Sequence, residues 1–236
     1  GCYYYRARYY CQDIGRFISE DPLGFQAGIN FYAYVDNNPV NANDPSGKDA
    51  YLGAKPIDAP SILTNNAYHT VLVLMPNNPQ DFANRSGWQT LSNGQIISTL
   101  SGQPKDGFSV ATLTGQSKLN YTPNFPKDQI QNLTELQRIS TPKGMTDTQF
   151  ISGLIQTAGS YQNNVQYNLV PEKQGGYNSN SFTAGVISKA GGTPPTINYS
   201  APGYSKPLPI SNGANGGFLL YPNKSNNNYT QSVYSK

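Results

Sequence analysis

The chain has 236 residues, of which 12% are charged, and its formal net charge at neutral pH is +3. This small excess does not by itself indicate a nucleic-acid or anionic-membrane partner, and nucleic acid is not expected among the partners. The longest aliphatic run, 71–75, is far shorter than the roughly 20 residues of a membrane-spanning helix. No charged-then-apolar signal segment opens the chain, and Gly1 begins inside a tyrosine-rich pattern, as expected of a fragment.

The chain contains two cysteines, Cys2 and Cys11, and a single histidine, His69. The number and spacing of the cysteines indicate neither a metal site nor a disulfide framework, so we expect two ordinary thiols. A site that needs two histidines is excluded, and any mechanism that needs an imidazole must use His69. We expect no metal and no cofactor, since the sequence also lacks P-loop and dinucleotide glycine motifs.

The residue pattern of 1–48 predicts short strands joined by turns. Tyrosines surround Arg6 and Arg8, a composition typical of strands. Residues 21–24 and 44–47 have the Pro-then-Gly pattern of turns. Because so short a β segment cannot close a core of its own, we expect it to end a repetitive β array.

The same segment resembles a known family. The strings that carry the likeness are YYYRARYY (3–10), GRFIS (15–19), DPLG (21–24), NFYAYV (30–35) and NNPVN (37–41). They resemble the Rhs repeat-associated core, which implies that residues 1–48 close the β-cocoon of a parent chain. The resemblance further implies that a variable toxin domain follows, 49–236, that it is secreted or delivered into a target cell, and that a cognate immunity protein exists.

A release motif at the end of the Rhs-like segment is part of this resemblance. The family's pattern, Pro-x4-Asp-Pro-x-Gly-Leu, is matched by Pro39, Asp44, Pro45 and Gly47. Lys48 stands where the family has leucine, so the sequence leaves self-cleavage at this junction open.

Hydrophobic periodicity predicts an α+β domain, with an antiparallel sheet and packed helices, over residues 49–236. The predicted strands are 68–75, 95–100, 108–113, 119–121 and 165–170, and the predicted helices are 129–138, 150–158 and 182–190. Thr146 and Gln149 form a capping box before the second helix. We expect strands, loops and a loose C-terminus after residue 193.

Two places in this domain could carry chemistry, namely His69 at the mouth of a buried strand and the Ser/Asn cluster before the third helix. Exposed backbone N–H groups at a helix N-terminus stabilise an anionic nucleophile and can bind an oxyanion. An imidazole on an adjacent strand can serve as general base. The alternatives are structural, since Ser179, Asn180 and Ser181 are all good N-cap residues and His69 could simply be a satisfied strand-end residue.

These two segments carry a second resemblance. Residues 68–74 (YHTVLVL) and 178–182 (NSNSF) are similar to the His strand and the Asn-Cys-x-x-Phe helix start of permuted papain-like families. Those families include the PPPDE peptidases, the lecithin:retinol acyltransferase-like group and relatives of NlpC/P60 enzymes. The likeness implies a permuted papain-like fold in which His69 is the base and Ser179 replaces the cysteine nucleophile. A serine hydroxyl is much less acidic than a thiol, so it would need His69 within hydrogen-bond reach.

Other members of such a site are less defined by the sequence. Ser181 is the alternative nucleophile, and Tyr177, Asn178 and Asn180 are candidates for oxyanion binding or for orientation. The group that orients the imidazole stays open among the Asn, Gln and Asp side chains around residues 95–113, where Asp106 is the acid. Tyr68 and Trp88 are expected to be packing residues.

Three functions follow from these observations. The first is a toxin hydrolase or acyltransferase that acts on a lipid ester, a peptidoglycan amide or a protein amide through His69 and Ser179. The second is a metal-independent nuclease toxin that uses His69 with Lys or Arg and Tyr, which a basic environment around His69 would favour. The third is a non-catalytic binding domain with a lost papain-like site, which a wide separation of His69 and Ser179 would favour.

Overall fold

The computed structural model describes residues 1–5, 8–19, 32, 50–57, 66–82, 85–91, 95–107 and 109–211. The release-motif residues Pro39, Asp44, Pro45 and Gly47 lie outside the described residues, as does the segment 212–236. Within the described ranges, no helix is long and apolar enough to cross a bilayer.

The N-terminal segment forms a three-stranded antiparallel sheet of β1 (Cys2–Tyr5), β2 (Arg8–Cys11) and β3 (Arg16–Phe17). These strands confirm the predicted pattern of short strands and turns over the described residues up to Ile18. Cys2 and Cys11 are directly opposite each other in the β1–β2 register and form a disulfide, with their Cα atoms 4.0 Å apart. The expectation of two ordinary thiols is wrong because sequence spacing alone does not reveal the hairpin register that pairs them.

The second sheet has six antiparallel strands. They are β4 (Ala50–Pro56), β5 (Tyr68–Leu74), β6 (Gln89–Thr90), β7 (Ile96–Pro104), β8 (Leu119–Pro123) and β9 (Glu135–Ile139). Their order is β6-β7-β5-β4-β9, and β8 also pairs with β7. Strands β5, β7 and β8 confirm three predicted strands, whereas β4 was not predicted. The α+β class is therefore seen, and the permuted papain-like fold stays a prediction.

Three predicted elements differ in the structure. Residues 108–113 were predicted as a strand, but α1 (Val110–Leu113) is a helical turn, because a short apolar run fits either period. Instead of a helix over 129–138, a 3-10 turn (Ile130–Asn132) leads into β9, which pairs with β4. The strand expected at 165–170 is reduced to two isolated bridges, and α3 (Pro171–Gln174) follows.

The two longer helices confirm two of the three predicted helices. The predicted capping box of Thr146 and Gln149 is present at the start of α2 (Asp147–Ser160). The other helix, α4 (Ser179–Lys189), begins three residues before the predicted start. Its N-cap is Asn178, whose Oδ1 accepts hydrogen bonds from the backbone N–H groups of Asn180 at 3.0 Å and Ser181 at 3.1 Å. The cap expected among residues 179–181 is thus one residue earlier, because those three residues already belong to the first helical turn.

The sheet has an apolar core on each face. On one face, Leu52, Leu72 and Leu100 pack with apolar residues of α2 and α4, such as Phe150 and Phe182. On the other face, a smaller core contains Tyr51, Val73, Met75, Ile97 and Ile130. Successive residues of a strand point to opposite faces, so the odd-numbered residues of β5, including His69, belong to the second face.

Candidate functional site

His69 lies on the second face within a cluster built from three parts of the fold. In the register of β4 and β5, Lys55 is directly opposite His69. A 3-10 turn (Pro126–Asp128) brings Asp128 over this face. The His69 Nε2 atom lies 3.0 Å from Asp128 Oδ2. From β7, Gln103 Nε2 donates to the same Oδ2 at 2.7 Å and lies 3.1 Å from His69 Nε2.

The buried carboxyl of Asp128 is ionised within this cluster. Asp128 is 0% exposed, and burial on its own would raise the pKa of its carboxyl. The hydrogen bond and charge of His69, with further hydrogen bonds from Ser101 and Lys55, outweigh burial and hold the pKa of the Asp128 carboxyl well below its usual range. A carboxylate therefore faces the imidazole near neutral pH.

The ionised carboxylate fixes the tautomer of His69. Because Asp128 Oδ2 can only accept, the neutral form of the imidazole carries its proton on Nε2 and its lone pair on Nδ1. Among the described residues, Nδ1 has no hydrogen-bond partner. The side chain is mostly buried, with 8% of the residue exposed. An imidazole oriented in this way by a carboxylate can accept a proton at Nδ1 as a general base.

A cation completes the cluster. Lys55 Nζ lies 2.9 Å from Asp128 Oδ1, and it also donates to the backbone carbonyl of Lys127. An ammonium group has three N–H donors, so these two contacts leave one donor for a ligand. Burying such an ion pair is costly, and removing one partner leaves an uncompensated charge.

Further lysines lie at the same end of the sheet. The backbone N–H of Lys105 donates to the carbonyl of Lys118 where β7 and β8 join, two residues beyond Gln103. Asp106 is exposed beside them and makes no contact with His69. Asp128 is thus the acid at the imidazole, from a segment that the sequence analysis did not consider. Gln103 belongs to the group of strand residues that it did consider.

The Ser/Asn cluster of α4 makes other contacts. Burial raises the pKa of the buried Tyr167 hydroxyl, and the neighbouring Ser179 opposes this shift. Ser181 Oγ donates to the carbonyl of Gly203 at 2.9 Å. Gly203 has a φ of +87°, and an added Cβ would lie 2.7 Å from this Oγ, so only glycine fits here. The ring of Tyr177 lies 5.1 Å from Lys206 Nζ.

The structure does not bring His69 and the two serines together. Thr70 Oγ1 contacts Asn180 and Thr183 of α4, whereas its neighbour His69 contacts Asp128 and Gln103. This difference follows from strand alternation, because adjacent side chains of β5 point to opposite faces. Within the described part of the chain, no hydrogen bond joins His69 to Ser179 or Ser181. The pairing of His69 with Ser179 therefore stays a prediction.

The remaining predicted residues have structural contacts. Tyr68 packs on Tyr199 with ring centroids 4.9 Å apart, and Trp88 packs on Phe82 at the same distance. Across the described ranges, no group of three or more His, Cys, Asp or Glu side chains is placed to hold a metal ion.

Comparisons with known proteins identify relatives that are toxins. The chain is 53% identical over 47 residues to Toxin protein Tse5 of Pseudomonas aeruginosa, a match that covers 20% of this chain and 4% of that protein. It is 39% identical over 72 residues to Toxin subunit YenC2 of Yersinia entomophaga, covering 30% and 7%. It is 43% identical over 68 residues to Double-stranded DNA deaminase toxin A of Burkholderia cenocepacia, covering 28% and 5%.

These matches support the resemblance to an Rhs-associated toxin. The chain spans at most a fifth of the length of the first curated relatives it matches. No family model and no solved structure matches the chain.

Proposed function

We propose that the chain is the C-terminal part of an Rhs-type polymorphic toxin and that residues 49–236 are its toxin domain. Support comes from relatives named as toxins and from the Rhs-like strings of residues 3–41. On this proposal the domain is delivered into a target cell, where it meets its substrate, and a cognate immunity protein protects the producing cell. Self-cleavage at the release motif belongs to the same proposal.

The reaction we assign to this domain is cleavage of RNA through the substrate's own 2′-hydroxyl. The observation that carries this assignment is the contact of His69 Nε2 with Asp128 Oδ2 at 3.0 Å, with the Lys55 ammonium bound to the same carboxylate. A base and a cation are what such a transesterification needs from the protein, since the substrate supplies the attacking hydroxyl.

His69 Nδ1 takes the proton of the 2′-hydroxyl, the 2′-oxygen forms a bond to phosphorus, and the bond from phosphorus to the 5′-oxygen breaks. The 5′-oxygen takes a proton from water, so the products are a 2′,3′-cyclic phosphate and a free 5′-hydroxyl. Lys55 stabilises the charge that builds on the non-bridging oxygens, and the Asp128 carboxylate stabilises the imidazolium.

Charges of both signs lie at the His69 end of the sheet. The lysines there are Lys55, Lys105, Lys118 and Lys127. Asp128 is paired with Lys55, and Asp106 and Glu135 are exposed at the same end. A phosphate backbone needs cationic groups, and the excess of lysines over acids here is small. The proposal of RNA therefore rests on the His69–Asp128–Lys55 geometry rather than on charge.

The hydrolase or acyltransferase with Ser179 as nucleophile is the competing proposal. It requires His69 to reach Ser179, and it uses the N–H groups of the first turn of α4 as the oxyanion hole. Two of those N–H groups already donate to Asn178 Oδ1, which caps the helix. The third possibility, a non-catalytic binding domain, keeps the fold but predicts no turnover.

Induced expression in bacteria separates these proposals. Wild type, His69→Ala and Ser179→Ala are compared for growth inhibition and for degradation of total RNA, with folding checked by circular dichroism. We expect wild type and Ser179→Ala to degrade RNA and His69→Ala to be harmless. Loss of toxicity in Ser179→Ala with intact folding would favour the hydrolase. Toxicity retained in His69→Ala would contradict both catalytic proposals.

A further inference from the structure

The side chain of Asn180 makes four hydrogen bonds although the residue is only 1% exposed. Its Oδ1 accepts from the Thr70 backbone N–H at 2.8 Å and from Thr70 Oγ1 at 3.0 Å. Its Nδ2 donates to the carbonyl of Tyr68 at 2.9 Å and to the carbonyl of Pro202 at 2.9 Å. The amide thus binds β5 on both sides of His69 and satisfies its full bonding capacity.

Asn180 occupies the place of a missing strand neighbour. On one edge, β5 pairs with β4 along its whole length, from Tyr68 to Leu74. On the other edge, it pairs with β7 only over residues 72–74. The backbone groups of Tyr68 and Thr70 therefore have no β7 partner. Buried backbone groups need a partner, and the Asn180 amide supplies it for the Thr70 N–H and the Tyr68 carbonyl, whereas the Tyr68 N–H donates to the carbonyl of Ser200.

The helix holds this amide in a fixed position. The backbone N–H of Asn180 is capped by Asn178, whose Nδ2 donates to the same Pro202 carbonyl that accepts from Asn180. Thr183 Oγ1 lies 2.6 Å from Thr70 Oγ1. These contacts join the first turn of α4, the segment at residue 202 and the end of β5 into one network.

We infer that Asn180 is a positioning residue that fixes the backbone of β5 at residue 69, so that the imidazole meets Asp128 on the opposite face of the sheet. The inference rests on the proposed role of His69 as the base. It gives residues 178–181 (the NSNS motif) a function other than nucleophilic attack. Catalysis requires such groups to be held close to their productive geometry by the residues that support them.

The test uses Asn180→Ala with Asn168→Ala as the matched control. Asn168 is also buried, at 6% exposed, and its Nδ2 donates to a backbone carbonyl, that of Gly175, at 2.7 Å. The chain has one histidine, so the Nε2 proton gives a single imidazole resonance in the proton NMR spectrum of the whole chain. Steady-state kinetics on an RNA oligonucleotide is measured on the same samples.

We expect Asn180→Ala to lose or broaden the Nε2 proton resonance and to lower kcat at least tenfold with little change in KM. Asn168→Ala is expected to keep both the resonance and kcat. If Asn180→Ala does not fold, Thr70→Val decides the question, because it removes one bond to the amide and keeps the strand shape. It should reduce kcat severalfold and shift the resonance.

The outcomes separate this inference from the proposed function. A folded Asn180→Ala or Thr70→Val variant with an unchanged resonance and unchanged kcat overturns the positioning role. If the wild type cleaves no RNA, the proposed function fails, but the resonance in the Asn180 and Asn168 variants still decides whether Asn180 positions His69.

Discussion

At the scale of single residues, the site depends on a buried carboxylate that orients the single histidine. The Asp128 carboxylate accepts from His69 and Gln103 and forms an ion pair with Lys55, and each of these contacts lowers the cost of keeping its charge buried. The same contacts leave Nδ1 of His69 as the basic atom. Removing the charge without changing the shape is therefore the most direct perturbation.

Asp128→Asn should reduce RNA cleavage by a factor on the order of 10²–10⁴, the range that general-base catalysis contributes. The amide can no longer stabilise the imidazolium or hold the proton on Nε2. Initial rates under saturating substrate measure the effect. Asp106→Asn changes an exposed acid and should leave the rate within about twofold. Equal rates for wild type and Asp128→Asn would exclude the His69–Asp128 base.

Lys55→Met should weaken substrate binding and the chemical step together. The substitution keeps the length of the side chain and removes the ammonium that we place near the phosphate. We expect kcat/KM to fall at least tenfold. The slope of log KM against log salt concentration should decrease by the amount expected for the loss of about one phosphate contact. Lys143→Met, at an exposed position, is the control. An unchanged salt slope in Lys55→Met would remove Lys55 from the phosphate site.

At the scale of elements, the start of α2 was predictable from local chemistry, whereas α4 begins three residues before its predicted start. The Thr146–Gln149 capping box is a sequence pattern with a direct structural meaning. The same logic placed a helix after the NSNS motif. It could not show that β7 separates from β5 beyond Leu72, which is the reason that Asn180 turns towards the strand. That separation depends on long-range pairing.

Thr146→Ala should destabilise the domain by about 1 kcal/mol, the usual cost of losing an N-cap side chain. The Thr146 hydroxyl accepts from the Gln149 N–H at 3.2 Å, and the Gln149 side chain accepts from the Thr146 N–H at 2.8 Å. Urea unfolding followed by circular dichroism measures the change. Thr196→Ala, at an exposed position outside any helix, is the control and should change the free energy of unfolding by less than about 0.5 kcal/mol. Equal stabilities would contradict the capping box.

At the scale of the whole molecule, the two faces of one sheet explain why the sequence predicted the α+β class and singled out His69 but did not identify Lys55 and Asp128 as its neighbours. The run of residues 68–75 correctly predicted a buried strand. Alternate residues of this strand face opposite sides of the sheet. Leu72 therefore packs on the α4 side, and His69 faces Asp128. Only the register of β4, β5 and β7 brings Lys55 and Gln103 to His69, and a sequence pattern does not contain that register.

The stability of the molecule should depend on pH through Asp128. Its folded pKa is lowered, whereas its unfolded pKa is about 3.9. The folded state therefore binds this proton less readily than the unfolded state. The stabilisation is fully present above about pH 4 and is lost as the pH falls towards the folded pKa.

Asp128→Asn checks this linkage, because the amide does not titrate. The free energy of unfolding of wild type should fall from pH 5 to pH 3 more steeply than that of Asp128→Asn, as measured by urea unfolding at each pH. The variant should also be several kcal/mol less stable near neutral pH, since it leaves Lys55 without its buried partner, a loss on the order of 3–5 kcal/mol. Parallel pH profiles would contradict the buried ion pair.

The central claim is that His69 removes a proton from the substrate's own 2′-hydroxyl. The most direct measurement compares an RNA oligonucleotide that is cut at one site with the same oligonucleotide carrying a single 2′-deoxynucleotide there. We predict that the RNA is cut to a 2′,3′-cyclic phosphate and a 5′-hydroxyl, that His69→Ala abolishes this, and that the deoxy-substituted oligonucleotide stays intact at that position. Cleavage of both oligonucleotides at the same rate would contradict the account.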